Sequence, residues 1–348
     1  MPLDLIVLAV AFLTILLGAE LFTNGIEWFG RKLGIAEGAV GSVLAAVGTA
    51  LPETMVPLMA ILFGGSIAAS EVGVGAILGA PFMLGTLTMF VTGSAVWLFR
   101  RRRATGTSLA IDVGVLGHDM SYFAFGYLIA ISAAFLPVDM EWPRRLVAVG
   151  LVCMYAYYVW GHLQADAAEH EGLAPLRFHR LDRRAPQHPE PPRLFIVSVQ
   201  VVFALGCIIG GAYGFVGAVT DLSHSLGVNG TLLALLIAPI ATELPEKLNS
   251  VIWVRRGKDT LALGNVTGAM VFQSAIPTSV ALLLAPALWT VVGGGLAFAS
   301  AAIALVSSAA IFIPMMVRKR LGAKALMVGG VFYLGYLIVV VVSLARGG

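Results

Sequence analysis

Apolar stretches of about 20 residues, long enough to cross a bilayer as α-helices, follow one another along almost the whole chain. Short polar connections separate them. The pattern predicts ten transmembrane helices, which span residues 4–29, 36–63, 72–99, 119–136, 144–164, 194–218, 231–254, 260–286, 290–316 and 323–345. We therefore expect an all-α integral membrane protein.

The composition agrees with a membrane protein. Hydrophobic residues make up 59% and charged residues 12% of the 348 positions, and the mean hydropathy is +0.92. Soluble globular domains do not have this balance. The first apolar run has no basic residue ahead of it and no small-residue cleavage site, so it is expected to remain as a helix. We expect a multi-pass protein of the cell membrane, in contact with the lipid bilayer.

The positive charges indicate how the chain is oriented. Eighteen of the 22 Lys and Arg residues fall on connections that share one side, whereas Arg144, Arg145 and Arg346 lie opposite. Because basic connections stay in the cytoplasm, both termini are expected outside. These charges are scattered and lack interleaved aromatic residues, so no nucleic-acid binding is expected. The sequence also indicates no obligate protein partner.

One long polar segment, residues 165–193, divides the chain. It predicts a cytoplasmic linker between two five-helix units, residues 1–164 and 194–348. The histidines in and beside it lack the close spacing of a metal site, which favours a solvated segment. They are His162, His170, His179 and His188.

The two units are related by an internal repeat. A shift of 193 residues aligns residues 18–53 with residues 211–246 without a gap, and ten of the 36 positions are identical. The next helices also correspond, at 75–79 and 264–268. Because each unit has an odd number of predicted crossings, the two repeats must be inverted in the membrane. Inverted repeats are typical of secondary transporters.

Each repeat carries a glutamate near the centre of a predicted helix. The motifs are Gly-Thr-Ala-Leu-Pro-Glu at 48–53 and Ala-Thr-Glu-Leu-Pro-Glu at 241–246. An ionised carboxylate at this depth is costly unless it is paired or coordinates an ion. Glu53 and Glu246 are therefore the leading candidates for an ion-binding site.

Other oxygen atoms accompany these carboxylates. Thr49 and Thr242 lie four residues before the glutamates, on the same helix face. The proline before each glutamate has no amide hydrogen, which frees the carbonyl oxygens of Gly48 and Ala241. Carboxylate, hydroxyl and carbonyl oxygens together suit a hard cation such as Ca²⁺.

The two motifs resemble the alpha-repeats of the calcium/cation antiporter superfamily, which includes sodium/calcium exchangers. The resemblance extends to Gly-Asn-x-x-Gly at 264–268 and to the tyrosine-rich helices around Tyr155 and Tyr333. It implies that both glutamates bind Ca²⁺ and that both threonines contribute to Ca²⁺ or Na⁺ coordination. It also implies a transporter of inorganic cations, not an enzyme, with no cofactor.

The third predicted helix of each repeat departs from sodium/calcium exchangers. Where those proteins carry a small hydroxyl residue and then Asn or Asp, this chain has Ala80 and Leu84, then Ala269 and Gln273. Asn265 has only Ala76 at the equivalent position. A proton can replace Na⁺ by titrating a buried carboxylate, and Gln273 resembles a glutamine of calcium/proton exchangers. Asn265 and Gln273 are candidate ligands, and the coupling ion stays open.

Glu243 is a third carboxylate, three residues before Glu246. It can serve as a proton carrier or an additional ligand, or it can pair with Lys247 four residues later. Both interpretations stay open. If the pair forms, Glu53 and Glu246 balance the charge of one divalent ion.

Two further acidic positions have weaker cases. Asp119 and His118 could form a proton relay, but Asp119 lies at the predicted start of a helix, where an acidic residue favours the N-terminus. That second interpretation is preferred. Glu20 is deep enough in the first predicted helix to line an ion path.

Three functions compete. A coupled antiporter explains the inverted repeat and the central carboxylates, whereas a cation channel more naturally builds its filter from a ring of subunits. An intramembrane hydrolase needs a nucleophile or metal, yet no His or Cys lies beside either motif. We expect exchange of Ca²⁺, or another divalent ion such as Mn²⁺, for Na⁺ or H⁺ by alternating access. The second, third, seventh and eighth predicted helices would hold the site, while the first and sixth slide.

Overall fold

The computed structural model describes residues 2–32, 45–164, 174–182, 192–228, 230–292 and 295–345. These residues form twelve α-helices. They are α1 Pro2–Lys32, α2 Ala45–Phe63, α3 Ile67–Met83, α4 Met89–Phe99, α5 Val113–Ser132, α6 Glu141–Gln164, α7 Leu194–Leu226, α8 Gly230–Thr242, α9 Leu244–Arg255, α10 Asp259–Leu284, α11 Gly295–Arg318 and α12 Ala323–Ala345.

The remaining regular structure is short. A π-helical segment, Leu84–Thr88, joins α3 to α4 without a break. Turns of 3₁₀ helix occur at Arg100–Arg102, Ala133–Phe135, Arg177–Leu181 and Pro286–Leu288. Two strands, β1 Ser108–Leu109 and β2 Leu321–Gly322, pair antiparallel and connect the two halves of the chain.

Six helical stretches in the described residues are long and apolar enough to cross a membrane. They are Asp4–Ile26, Ile67–Arg102, Leu194–Leu226, Asp259–Leu284, Gly295–Arg318 and Ala323–Ser343. Large apolar side chains such as Ile67, Trp142 and Val317 are exposed on the surface, as expected for helices that contact lipid. All ten predicted spans overlap observed helices. Among the described residues, the largest differences at helix ends are an α7 that ends eight residues later than predicted and an α5 that begins six residues earlier, at Val113. The predicted span 231–254 is divided between α8 and α9, and residues 36–44 of the second predicted span lie outside the described residues.

Helices α1 and α7 form a long antiparallel pair with reciprocal contacts. A Cβ atom built at Gly18 of α1 would lie 2.9 Å from Ile208 Cγ1, and one at Gly211 of α7 would lie 2.8 Å from Ile15 Cγ1. Residues 18 and 211, like residues 15 and 208, are related by the shift of 193. The same contact therefore occurs twice, as an approximate two-fold axis would produce.

The apolar core is divided between this pair and the rest of the protein. The largest buried cluster combines side chains from α3–α6 and α8–α12 with residues of the turns between them. The pair α1–α7 packs mainly against α2, α3 and α8, and its buried side chains belong to separate clusters. The pair is thus attached to the core through few helices.

The described part of the linker, residues 174–182, lies against the α1–α7 pair. Asn24 of α1 donates a hydrogen bond to the carbonyl oxygen of Ala174 at 3.3 Å. Arg177 forms an ion pair with Glu20 at 2.8 Å, and both side chains are more than half exposed. Glu20 therefore has a partner in the linker, which does not support the prediction that it lines an ion path.

A buried ion pair joins the two halves beside the small sheet. Arg103 donates to both carboxylate oxygens of Asp259, at 2.7 and 2.6 Å, and each side chain is 1% exposed. The backbone amide of Ala110 donates to the same carboxylate at 2.8 Å. A bidentate geometry with an added amide donor compensates for the loss of hydration around these charges.

Candidate ion-binding site

Glu53 lies in α2 with its side chain buried. The residue is 5% exposed, and no group in the described part of the chain donates a hydrogen bond to either carboxylate oxygen. It lies close enough to Glu246, Glu243 and Lys247 for electrostatic interaction between these groups. The fold therefore brings together acidic residues that are almost 200 positions apart in the sequence.

The second motif lies where the helix is interrupted. Helix α8 ends at Thr242 and α9 begins at Leu244, with Glu243 between them at φ −94° and ψ 7°. The proline at position 245 has no amide hydrogen, so the helical bond to the Ala241 carbonyl cannot form. Glu246 lies in the first turn of α9, where the helix dipole favours a negative charge. In the first motif, by contrast, α2 continues through position 52.

Glu243 is paired with Lys247. The ammonium group donates to Glu243 Oε2 at 3.2 Å and to the carbonyl oxygen of Pro239 at 3.0 Å, and both ionic side chains are buried. The pair forms across one helical turn, as the spacing of four residues allows. The second oxygen, Glu243 Oε1, is buried and has no hydrogen-bond partner in the described residues.

Thr242 completes the described part of this motif. Its hydroxyl is buried and donates to the carbonyl oxygen of Ala238 at 3.2 Å. Since the donor is already used, the hydroxyl oxygen can only accept or coordinate. The backbones of Gly48 and Thr49 belong to α2 and that of Ala241 to α8, while the side chains of Thr49 and Ala241 are not among those that the structure describes.

Helix α10 contributes the amide side chains. Gln273 is 1% exposed and Asn265 is partly buried, and they lie eight residues apart on a helix that packs against α2, α3 and α9. Gln273 Oε1 and Asn265 Nδ2 are buried without a hydrogen-bond partner among the described residues. The equivalent positions of the first repeat, Leu84 and Ala76, are apolar and buried.

The unsatisfied polar atoms concentrate on the residues chosen from the sequence. In the described chain, nine buried side-chain nitrogen or oxygen atoms have no hydrogen-bond partner, and six of them belong to Glu53, Glu243, Glu246, Asn265 and Gln273. A buried polar atom without a partner costs about 1–3 kcal/mol. Four of these six atoms are carboxylate oxygens of the three glutamates, which lie close enough to interact electrostatically, and a fifth is the amide oxygen of Gln273. Oxygens of these kinds can coordinate a cation, so their missing partner fits a bound ligand.

A second polar cluster contains Asp119 and His162, whose positions differ from those expected from the sequence. Helix α5 begins at Val113, and Asp112, not Asp119, caps it by accepting from the amide of Gly114 at 2.8 Å. Asp119 lies in the second turn, buried, with His162 Nε2 at 3.4 Å from its carboxylate. The prediction that Asp119 serves the helix N-terminus is therefore wrong.

His162 lies within α6, as the predicted span 144–164 has it, but it is partly buried beside Asp119 and does not belong to a solvated segment. A sequence signal for the cluster did exist. The start of one helix and the end of the next meet when the two form a hairpin, so Asp119 and His162 were candidates for contact.

Comparisons with known proteins agree on the class of this chain. The family model described as sodium/calcium exchanger protein matches residues 3–163 and 196–345. A protein of Alkalimonas amylolytica named "Putative antiporter CaxA" is 26% identical over 279 residues, which are 80% of this chain and 79% of that protein.

Two solved structures share the fold. The H⁺/Ca²⁺ exchanger CAX superposes with a TM-score of 0.70 at 16% identity, over 98% of this chain and 87% of that chain. The sodium-calcium exchanger NCX_Mj superposes with a TM-score of 0.56 at 16% identity, over 97% of this chain and 98% of that chain. Both are exchangers that act on Ca²⁺ according to their names.

Proposed function

The chain belongs to the sodium/calcium exchanger protein family, and we propose that it is a secondary active antiporter that exchanges Ca²⁺ for Na⁺ or H⁺. The observation that carries this proposal is the group of buried, unsatisfied polar atoms on Glu53, Glu243, Glu246, Asn265 and Gln273. Carboxylate and amide oxygens are the ligands that Ca²⁺ prefers. The names of the similar structures support the same cargo.

The charge at this site fits one divalent cation. Lys247 neutralises Glu243, which leaves the carboxylates of Glu53 and Glu246 to balance two positive charges. We propose these two glutamates as the principal ligands. The hydroxyl of Thr242 and the amide oxygen of Gln273 add neutral ligands, as do Thr49, Asn265 and the carbonyl oxygens of Gly48 and Ala241.

We propose that the two halves are inverted repeats of five crossings each, residues 1–164 and 194–348, with residues 165–193 as a cytoplasmic linker and both termini outside. The reciprocal contacts of Gly18 and Gly211 support this arrangement, because equivalent residues meet across an antiparallel pair. The two separately matched segments of the family model support the division.

Transport would proceed by alternating access. Helices α2, α3, α8, α9 and α10 hold the ion, and the α1–α7 pair slides past them to expose the site to one side and then the other. The separation of the buried clusters of this pair from the main core supports such a movement. Ca²⁺ and the counter-ion compete for the same two glutamates, which couples their movements.

The test is ⁴⁵Ca²⁺ uptake into proteoliposomes, driven in turn by an outward Na⁺ gradient and by an outward H⁺ gradient. We expect uptake with one of the two gradients, and a loss of at least tenfold in Glu53→Gln and in Glu246→Gln. Glu141→Gln, the same change at an exposed glutamate, is the matched control and should leave uptake unchanged.

Other outcomes would contradict parts of the proposal. Normal exchange in both site variants would refute the assignment of the ligands. Ca²⁺ flux that needs no counter-ion gradient would indicate a channel. Uptake of Mn²⁺ but not of Ca²⁺ would indicate an antiporter for another divalent ion.

A further inference from the structure

Two histidines and one aspartate meet near one end of α5 and α6. One nitrogen of His118, one oxygen of Asp119 and one nitrogen of His162 all lie within 4.8 Å of one another. His118 and Asp119 belong to the second turn of α5, and His162 lies in the last turn of α6. By the charge pattern of the connections, this end faces the cytoplasm.

The carboxylate is held in a fixed orientation. Asp119 is 2% exposed, its Oδ1 accepts from the hydroxyl of Tyr158 at 2.9 Å, and its Oδ2 accepts from the hydroxyl of Thr267 at 2.6 Å. Carboxylates that bind metals are commonly held by such outer hydrogen bonds, which reduce the cost of ordering them. The histidines, by contrast, retain access to solvent: His118 is exposed and His162 is partly so.

The ligand set favours a transition metal ion over Ca²⁺. Imidazole suits Zn²⁺ and its neighbours, whereas Ca²⁺ takes six to eight oxygen ligands. At Zn–ligand distances of about 2.0–2.2 Å, ligands at the corners of a tetrahedron are about 3.4 Å apart. Nitrogen and oxygen atoms within 4.8 Å reach that spacing by small rotations of the two imidazole rings, which already pack edge to face at a centroid distance of 5.7 Å.

We propose that His118, Asp119 and His162 form a binding site for Zn²⁺ or a similar divalent transition metal ion, separate from the site at Glu53 and Glu246. Three protein ligands leave the fourth position to water. The bound ion would connect α5 and α6 directly. Because Asp119 accepts a hydrogen bond from Thr267, the ion would also be linked to α10 through Asp119.

The two sites lie on different faces of α10. Thr267 follows Asn265 by two residues, and side chains two residues apart point to nearly opposite sides of a helix. The proposed metal site therefore does not share ligands with the transport site. The proposal of a metal site is therefore independent of whether the chain exchanges Ca²⁺.

The experiment is equilibrium binding of Zn²⁺ to the purified full-length protein, treated with a chelator and carrying no histidine tag. A background of Glu53→Gln with Glu246→Gln removes the acidic ligands of the transport site. In that background we expect one Zn²⁺ per chain. His118→Ala with His162→Ala should lower the affinity at least about 100-fold, since it removes two of three ligands.

His224→Ala is the matched control, because His224 is an exposed histidine near the end of α7 and should not affect binding. Co²⁺ offers an independent measurement: its visible absorption should show four-coordinate bands that disappear in His162→Ala. Gel filtration and thermal unfolding confirm that each variant is folded. The histidine variants carry the test because Asp119 is buried, and its replacement could impair folding.

Two results would overturn the proposal. One is unchanged Zn²⁺ affinity and stoichiometry after both histidines are replaced. The other is the absence of Zn²⁺ binding in the Glu53→Gln, Glu246→Gln background, which would assign any wild-type binding to the transport site.

Discussion

The reciprocal contacts of Gly18 and Gly211 make a quantitative prediction about the two halves of the chain. A Cβ at Gly18 would approach Ile208 Cγ1 to 2.9 Å, and a Cβ at Gly211 would approach Ile15 Cγ1 to 2.8 Å. Each would also lie 3.0 Å from a backbone carbonyl oxygen of the facing helix. Because the carbonyl cannot rotate away, each alanine must push α1 and α7 apart.

Two effects of opposite sign determine the magnitude. Overpacking costs about 1–3 kcal/mol, whereas replacing glycine by alanine inside a helix contributes about 1 kcal/mol of stability. The variant Gly210→Ala separates the cost of overpacking from the gain of replacing glycine inside a helix. Gly210 is the neighbour of Gly211 in α7, and a Cβ there meets no atom of the described residues within 4 Å. We expect Gly18→Ala and Gly211→Ala each to be about 1–3 kcal/mol less stable than Gly210→Ala.

Thermal unfolding of the purified protein checks this, with all variants in one detergent and at one scan rate, because unfolding of this kind is often irreversible. Gly18→Ala and Gly211→Ala should lower the midpoint by similar amounts. If both variants have the same unfolding midpoint as Gly210→Ala, the close approach of α1 and α7 is refuted. If only one of them is destabilised, the two halves are not equivalent at this contact.

Three further predictions concern single side chains. Gly79→Ala should lower the unfolding midpoint strongly, because its Cβ would clash with the backbone carbonyl oxygen of Leu235 in α8; an unchanged midpoint would contradict that contact. Arg103→Ala should destabilise the protein by about 3–5 kcal/mol in chemical unfolding, since Asp259 would stay buried without its partner; a loss below about 1 kcal/mol, typical of exposed pairs, would refute this. Lys247→Met should reduce Ca²⁺ uptake at least tenfold, because it leaves the negative charge of Glu243 unpaired. Adding Glu243→Gln removes that charge and should restore uptake; equal losses in the single and the double variant would exclude a role for the pair.

The helices could be predicted well because their signal is local. About 20 apolar residues in succession specify a buried or lipid-facing helix whatever surrounds it. Helix ends were less predictable. The sequence alone did not show that Asp112 would cap α5, so Asp119 received that role by position. The break at Glu243 and the π-helical segment at Leu84–Thr88 also depend on backbone geometry that apolar patterns do not report.

The Asp119 cluster depended on contacts between distant parts of the chain. His162 and Thr267 lie 43 and 148 positions from Asp119, and each was unremarkable in its own segment. Only the packing of α5 against both α6 and α10 brings them together. A motif search over short spacings could not have found this cluster, whereas the glutamate motifs were found because the repeat marks them twice.

The pair of Glu243 and Lys247 shows why spacing alone left the charge of the site open. A separation of four residues allows an ion pair, but it equally allows the two side chains to point to different partners. The deciding feature is the interruption of the helix. Lys247 reaches back over that interruption to the carbonyl oxygen of Pro239 as well as to Glu243. With Glu243 paired in this way, the proposed divalent cation would be balanced by the two remaining carboxylates, those of Glu53 and Glu246.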